Sequence, residues 1–241
     1  DSNIKYKIYR FFSRFLINTF STNRLACGLD AGKDLFYKNY TIINNGIELE
    51  DYKFNIEKRK ELRKNFNIPD DYSVIGNVGR IEHNKNQKFL LEVFQKYHLK
   101  NNKTKLVLVG DGDMKEELEK YVFDNNLEKD VIFTGIRNDV NEIYNIFDLF
   151  VMTSFKEGLP FVLIEAQTNG LNCIVSDSVD YNSNITNSVY FLPINQGTKM
   201  WIEYFDKYQG KRNDNINKII EAGYSLIDSI KIVTNIYDDK K

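Results

Sequence analysis

Residues 149–170 read Leu149-Phe-Val-Met-Thr-Ser-Phe-Lys-Glu-Gly-Leu-Pro-Phe-Val-Leu-Ile-Glu-Ala-Gln-Thr-Asn-Gly170. The first four residues are apolar and predict a buried strand, and Pro160–Asn169 predicts a helix that Gly170 closes. Glu157 therefore lies in the loop at the carboxyl end of a strand. Glu165 lies inside the next helix, roughly 7–8 Å along its axis from Pro160. Ligands of open α/β sheets bind at this edge of the sheet, so both acids are candidate ligand contacts.

The composition indicates a globular protein with no strong charge preference in its partners. The 241 residues carry a net charge of −1, and 42% of them are hydrophobic. This length allows one large domain or two small ones, and the charge gives no reason to expect nucleic acid. Cys27 and Cys173 lie in apolar contexts and predict buried thiols of a reducing compartment. No apolar run reaches the ~18 residues of a membrane span and no signal peptide is apparent, so we expect a cytoplasmic protein.

Short β-rich segments alternate with helical segments along most of the chain. The predicted strands are rich in Val, Leu and Ile, as expected when helices cover both faces of a parallel sheet. We therefore predict an α/β fold with a doubly wound parallel sheet. The predicted strands are Leu25–Cys27, Tyr40–Ile43, Val74–Val78, Leu106–Val109, Val131–Phe133, Leu149–Met152, Cys173–Val175 and Val189–Phe191. The predicted helices are Ile4–Phe20, Ala31–Tyr37, Ile56–Phe66, Asn86–Tyr97, Met114–Asn125, Val140–Phe147, Pro160–Asn169 and Gly197–Tyr208, with one or two more within Asn217–Tyr237.

The predicted helix Ile4–Phe20 is strongly amphipathic. Its apolar residues follow helical spacing, and four cations occupy the remaining faces, namely Lys5, Lys7, Arg10 and Arg14. A basic, aromatic-rich helix of this kind can lie on an anionic membrane surface, which would place the protein peripherally at the inner face of the membrane. The same pattern is typical of a helix that packs its apolar face against a neighbouring domain. We favour the second interpretation.

Polar groups follow the carboxyl ends of four successive predicted strands. Arg80 and Lys85 come after the first, and place a guanidinium and an ammonium ahead of a helix. Glycine-bearing turns follow the same four strands, at Gly79, Gly110, Gly135 and Gly158. Two cations beside glycine loops and a helix start suit a diphosphate, because backbone N–H groups and the positive helix end supply further donors.

The sequence also permits simpler roles for these side chains. Glu157 is equally well explained as a solvated loop acid, and Glu165 as an exposed helix acid. Asp111-Gly-Asp113 has the D-x-D pattern of some metal sites, but we expect Asp113 to cap the helix that begins near Met114. His83 and His98 show no ligand spacing with the cysteines, so the sequence predicts no metal site.

Several motifs in order resemble glycosyltransferase family 4, the retaining family with the GT-B fold. They are Val78-Gly-Arg80 with Lys85-Asn86, Val107-Leu-Val-Gly-Asp-Gly112, Phe133-Thr-Gly135, Tyr144-Asn-Ile-Phe-Asp148 and Ser154 to Gln167. The resemblance covers about Tyr40 to Ser178 and is to the Rossmann-like, carboxyl-terminal donor-binding domain. The loop containing Glu157 looks most like that of members that build bacterial capsular polysaccharides or exopolysaccharides.

The resemblance implies a role for each candidate residue. Arg80 and Lys85 match the cations on the donor diphosphate, and Glu157 matches the acid at the donor sugar. Glu165 matches the acid that holds the ribose hydroxyls. The remaining donor-binding positions that the resemblance implies are Gly79, Gly110, Gly135, Ile136 and Arg137, the last two near the base, with Gly158, Leu159, Pro160 and Phe161 at the sugar and phosphate oxygens.

The resemblance further implies a hexosyltransferase. Its donor would be a nucleotide-diphosphate sugar, expected to be UDP-linked, and its acceptor a polysaccharide or a lipid-linked oligosaccharide, with retention at the anomeric carbon. No cofactor, metal or protein nucleophile is expected. Two alternatives stay open, a non-catalytic nucleotide-sugar-binding module and a nucleotide-sugar epimerase of the same fold.

The resemblance suggests a division of the chain into three parts. Residues 1–36 would be a remnant of an amino-terminal acceptor domain, 37–208 the donor-binding domain and 209–241 closing helices. The chain begins with Asp1 rather than methionine, so we expect a piece of a longer protein, or a processed or engineered chain, with most of the amino-terminal domain missing. On that expectation the isolated chain lacks the acceptor side of the active site.

Overall fold

The computed structural model describes residues 2–238. Among these residues there are eight strands, β1 Leu25–Ala26, β2 Thr41–Ile42, β3 Ser73–Val78, β4 Thr104–Val109, β5 Val131–Gly135, β6 Leu149–Met152, β7 Cys173–Ser176 and β8 Val189–Leu192. The α-helices of the same residues are α1 Ser2–Phe20, α2 Leu29–Leu35, α3 Leu49–Tyr52, α4 Ile56–Asn65, α5 Gln87–His98, α6 Lys115–Asp124, α7 Val140–Ile143, α8 Phe161–Thr168, α9 Lys199–Tyr208, α10 Ile216–Glu221 and α11 Leu226–Asp238.

The chain divides into two compact units. The larger is Leu49–Ile219, and the smaller is made from the two ends of the chain, within Asp1–Glu48 and Ile220–Lys241. The larger unit holds a six-stranded parallel sheet in the order β5-β4-β3-β6-β7-β8. This confirms the predicted α/β fold with a doubly wound parallel sheet. The predicted division at residues 36 and 208 stays a prediction.

Alternate residues of each central strand enter two separate hydrophobic cores, because side chains of a strand point to opposite faces. In β6, Leu149 and Val151 pack into the core that α5, α6 and α9 cover. Phe150 and Met152 pack into the core that includes residues of α4 and α8. Both faces of the sheet are therefore buried, which explains why the strand sequences are continuously apolar.

The strand order reverses direction between β3 and β6, and these two strands separate towards their carboxyl ends. Their pairing is confined to Ile75 with Leu149 and Gly76 with Phe150, although β3 continues to Val78. Beyond that point the buried Asn77 side chain bridges the strands, its Nδ2 donating to the carbonyl oxygen of Val151 at 2.8 Å. A crevice at such a reversal point is where ligands bind in open α/β sheets.

The smaller unit contains the parallel pair of β1 and β2, with α1, α2 and α11. Arg10 and Arg14 of α1 point towards α2, where Arg10 pairs with Asp34 and Arg14 donates to the carbonyl of Lys33. Most large apolar side chains of α1 are exposed, namely Ile4, Tyr6, Ile8, Tyr9, Phe11, Phe12, Phe15, Leu16 and Phe20, while Ile17 is half-buried. Both interpretations of this helix stay predictions.

No helix among the described residues is long and apolar enough to cross a membrane. The cytoplasmic location and the peripheral membrane contact stay predictions.

Two predictions at element ends were wrong. The predicted helix Val140–Phe147 is α7 followed by a 3-10 turn, Tyr144–Ile146. Phe147 is extended, with φ −72° and ψ 149°, and Arg59 of α4 binds the carbonyl oxygens of Asn145 and Ile146 at 2.9 and 3.0 Å, which holds the chain in this turn. Asp113 does not cap α6, because that helix begins one residue later than expected and Met114 occupies the cap position without a side-chain bond.

The prediction of two buried thiols was half wrong. Cys173 lies in the central sheet and is fully buried, which raises the pKa of its thiol. Cys27 is exposed. It follows β1, a strand of two residues with a single neighbour.

Candidate functional site at the carboxyl ends of β3 and β6

The loops that follow β3 and β6 are tied to each other by hydrogen bonds. Phe155 N–H donates to the carbonyl oxygen of Asn84 at 2.8 Å, and the Asn84 side chain donates to that of Lys156 at 2.9 Å. The Thr153 hydroxyl donates to the carbonyl of Asn86 at 2.9 Å. The two loops are therefore joined, and the side chains that they carry are held in fixed register.

Lys85 and Glu157 meet between these two loops. The Nζ of Lys85 lies 2.5 Å from Oε1 of Glu157, and their side chains are only 21% and 16% exposed. Sequence reasoning placed these residues at the same ligand but did not predict a direct ion pair. The pair fixes both groups in position, and the ammonium retains two further N–H donors for an anion.

Arg80 lies nearby in sequence and is far more exposed. Its side chain is 79% accessible and its Nη2 pairs with Oε2 of Glu82 at 2.7 Å. A surface pair of this kind contributes little stability. The Arg80 guanidinium is thus able to reorient towards a ligand at low energetic cost.

The glycines after β3, β4 and β5 allow close contact between these loops. Gly79 N–H donates to the carbonyl of Val109 and Gly110 N–H to that of Gly135, both at 2.9 Å. A Cβ at Gly110, where φ is +132°, would overlap the carbonyl oxygen of Gly79. The N–H groups of Gly79 and Gly110 are therefore occupied within the sheet, and their predicted ligand contacts stay predictions.

The loop after β6 leads into α8 through an extended residue. Pro160 has φ −77° and ψ 125°, so it precedes the helix rather than forming its first turn as predicted, and its position carries no side-chain cap. The first N–H groups of a helix have no intrahelical acceptor and form its positive end. A Cβ at Gly158 would meet nothing within 4 Å, so there is room for a ligand beside Gly158.

Glu165 is held by two tyrosines that sequence reasoning did not assign to the site. The hydroxyl of Tyr52 donates to its Oε1 at 3.2 Å, and that of Tyr144 to its Oε2 at 2.7 Å. Burial raises the pKa of the Glu165 carboxyl, while the two hydroxyl donors oppose that rise. Tyr144 belongs to one of the motifs quoted above, which was a usable signal, whereas Tyr52 carried none.

Ile136 and Arg137 follow β5, which is separated from β6 by β4 and β3 in the sheet order. Ile136 is 80% exposed, which suits a flat apolar contact. Arg137 binds both carboxylate oxygens of Asp139, at 2.8 and 2.6 Å. Ile136 is thus exposed and Arg137 is paired, and their predicted contact with a base stays a prediction.

The family model described as glycosyl transferases group 1 matches residues 58–222, the segment that contains every site residue predicted from the sequence. The chain belongs to this family.

Two relatives of this glycosyltransferase chain illustrate the match. The putative glycosyltransferase EpsF of Bacillus subtilis is 32% identical over 247 residues, covering 98% of the chain and 64% of EpsF. A UDP-Gal:alpha-D-GlcNAc-diphosphoundecaprenol alpha-1,3-galactosyltransferase of Escherichia coli is 29% identical over 240 residues, covering 90% of the chain and 60% of that enzyme. The chain thus spans about 60% of the length of these two relatives. A shorter match, 36% identical over 100 residues and covering 42% of this chain, is to a glycosyltransferase of Erwinia amylovora named for amylovoran biosynthesis, AmsD, of which it covers 28%.

Solved glycosyltransferase structures share the fold. Anabaena HepE, crystallised with UDP and glucose, superimposes with a TM-score of 0.74 at 18% identity, covering 96% of this chain and 67% of HepE. WaaG, a glycosyltransferase involved in lipopolysaccharide biosynthesis, gives a TM-score of 0.64 at 18% identity, covering 90% of this chain and 66% of WaaG. The six-stranded sheet is therefore the Rossmann-like sheet of a GT-B fold.

Asp111 of the D-x-D pattern is engaged in local contacts. Asp111 accepts a hydrogen bond from Gly112 N–H at 2.8 Å and pairs with Lys115 at 3.4 Å. Across residues 2–238, the structure brings no three His, Cys, Asp or Glu side chains together in a group that could hold a metal ion. The expectation that no metal takes part stays a prediction.

Proposed function

We propose that this chain is the donor-binding portion of a retaining hexosyltransferase that uses a nucleotide-diphosphate sugar, with UDP as the nucleotide. Its acceptor would be a growing polysaccharide or a lipid-linked oligosaccharide. The observation that carries the proposal is the Lys85–Glu157 pair at the strand-order reversal, with the start of α8 and Glu165 following in the same segment. The UDP in the HepE crystal structure and the UDP-Gal in the name of the Escherichia coli relative support the choice of nucleotide.

The arrangement suits a reaction in which the leaving group gains negative charge. As the bond between the anomeric carbon and the phosphate oxygen breaks, charge accumulates on the diphosphate. The ammonium of Lys85, the mobile guanidinium of Arg80 and the N–H groups at the start of α8 then interact more strongly with it. These groups would lower the barrier because their interaction is stronger in the transition state than with the intact donor.

Retention follows if the acceptor attacks from the face that the diphosphate leaves. The acceptor oxygen forms the new bond to the anomeric carbon, and its proton passes to an oxygen of the departing phosphate. Glu157 would then hold the sugar hydroxyls and the Lys85 ammonium rather than act as a nucleophile. No metal or cofactor is needed, since Lys85 and Arg80 supply the positive charge.

Calorimetric titration of the chain with UDP, GDP and ADP tests the proposal. We expect UDP to bind most tightly, and Lys85→Met and Arg80→Ala each to weaken UDP binding about tenfold or more, because each removes a charge-assisted phosphate contact. Lys103→Met is the matched control, since Lys103 pairs with Asp71 beside the opposite, amino-terminal ends of β3 and β4. If no nucleotide binds, or if both site variants bind UDP as the parent does, the proposed site is wrong.

The two alternatives give different outcomes with UDP-sugars. A binding module would bind the nucleotide sugar but would neither hydrolyse it nor transfer the sugar. The same result is expected for this chain within a protein of the relatives' full length. An epimerase would change the sugar of the donor in the absence of any acceptor. Chromatography of the sugar products distinguishes both from a transferase.

A further inference from the structure

Each carboxylate oxygen of Glu165 already accepts one hydrogen bond from a tyrosine. Tyr52 comes from α3 and Tyr144 from the 3-10 turn after α7, and their rings lie 5.9 Å apart at an angle of 57°. Tyr144 is fully buried. Its hydroxyl also lies 3.2 Å from the carbonyl oxygen of Val162, but its single proton goes to the nearer, charged acceptor. The carboxylate is therefore clamped on two sides by elements of the same compact unit.

This clamp limits what else Glu165 can accept. An ionised carboxylate offers about four lone-pair positions, two on each oxygen. The two hydroxyl donors occupy one on each, so one acceptor position remains on each oxygen. Two neighbouring O–H groups, such as the 2′ and 3′ hydroxyls of ribose, fill both positions at once. A 2′-deoxyribose fills one and leaves the other unsatisfied in a partly buried site, which is costly.

We propose that Tyr52 and Tyr144 are positioning residues that make Glu165 selective for a vicinal diol, so that the donor is a ribonucleotide sugar rather than a 2′-deoxyribonucleotide sugar such as a thymidine-diphosphate sugar. The inference rests on the proposed function and sharpens its substrate class. When one of the two tyrosine hydroxyls is removed, the Glu165 carboxylate is free to rotate. An acceptor position that the ligand leaves unfilled can then bind water. The discrimination between the two pentoses should fall as a result.

The test is the ratio of the dissociation constants of 2′-deoxy-UDP and UDP, measured by calorimetry on the same chain. For the parent we expect 2′-deoxy-UDP to bind about tenfold or more weakly, the usual consequence of leaving a polar group unpaired. Tyr144→Phe should reduce this ratio at least threefold, and Tyr52→Phe should reduce it less because its hydrogen bond is longer. Tyr121→Phe is the control, since its hydroxyl bonds to Gln95 at 2.8 Å away from Glu165.

The outcomes separate this inference from the proposed function. If UDP does not bind at all, both fail together. If UDP binds but the parent does not distinguish the two pentoses, or if both site variants keep the parental ratio, the tyrosines have only a structural role and the inference is overturned. Should Tyr144→Phe fail to fold, Tyr52→Phe still decides the matter, because Tyr52 is only half-buried.

Discussion

The side chains of the candidate site are satisfied by protein partners that also hold them in place. Lys85 and Glu157 neutralise each other in a partly buried position, and the two oxygens of Glu165 are each held by a hydroxyl. Side chains fixed in this way lose little freedom when a ligand arrives. The cost is that each partner becomes necessary for the stability of the other.

Lys85→Met is expected to destabilise the fold, because Glu157 would keep its charge at low exposure without a counter-ion. The free energy of unfolding should fall by about 1–3 kcal/mol. The double variant Lys85→Met/Glu157→Gln should recover most of that loss, while Lys103→Met, which breaks an exposed pair, should change stability much less. Urea denaturation measures all four proteins. A double variant as unstable as the single one would contradict the pairing.

The stability of Glu165→Gln relative to the parent is expected to increase as the pH rises. Burial raises the pKa of Glu165 in the folded protein, so the folded state holds this proton more tightly than the unfolded state. The stability that this brings is fully present below the ordinary pKa of a glutamate and is lost as the pH rises through the raised pKa. Glutamine cannot ionise. The free energy of unfolding of the variant, measured by urea denaturation, should therefore increase relative to that of the parent between pH 4 and pH 8. A difference in free energy between the two proteins that stays constant over this range would contradict the raised pKa of Glu165.

At the scale of elements, the loops after β3 and β4 depend on a close backbone approach. Gly110→Ala should destabilise the fold by about 2 kcal/mol or more, since the new Cβ overlaps the Gly79 carbonyl at a φ that alanine rarely adopts. Gly158→Ala, in open space, should change stability by about 0.5 kcal/mol or less. Thermal unfolding of both variants is the measurement. Equal changes in stability for the two variants would show that the loops after β3 and β4 can move apart without loss of stability.

The sequence predicted most of the elements because their signals are local, although it missed α3, the four-residue helix that ends at Tyr52. The strand Leu149–Met152 was predicted with its observed bounds, and the loops that carry Arg80, Lys85 and Glu157 follow strand ends as expected. Helix ends were less accurate where tertiary contacts decide them. The turn at Tyr144–Ile146 is one example, since Arg59 reaches its carbonyls from 86 and 87 residues away in sequence.

At the scale of the whole molecule, the sequence could not predict which side chains meet. Lys85 and Glu157 are 72 residues apart, and Tyr52 and Glu165 are 113 apart. Such pairs depend on how α3 and the loops pack against the sheet, and no periodicity encodes that packing. Motif resemblance supplied candidate roles for the charged residues, but it gave no role to the tyrosines.

Nucleotide binding should stabilise the protein without a metal. At a free UDP concentration 100 times its dissociation constant, the stabilisation is about 2.7 kcal/mol, or roughly 5–10 °C in Tm for a chain of this size. We expect the same shift with EDTA present, because Lys85 and Arg80 provide the positive charge. A shift that disappears with EDTA and returns with a divalent cation would contradict the metal-independent proposal.

The most direct test is a crystal structure of the chain with UDP. We predict diphosphate oxygens at hydrogen-bond distance, about 2.7–3.2 Å, from Nζ of Lys85, and both ribose hydroxyls on the carboxylate of Glu165. UDP bound away from the carboxyl ends of β3 and β6, with Lys85 and Glu165 untouched, would contradict the assignment of this crevice.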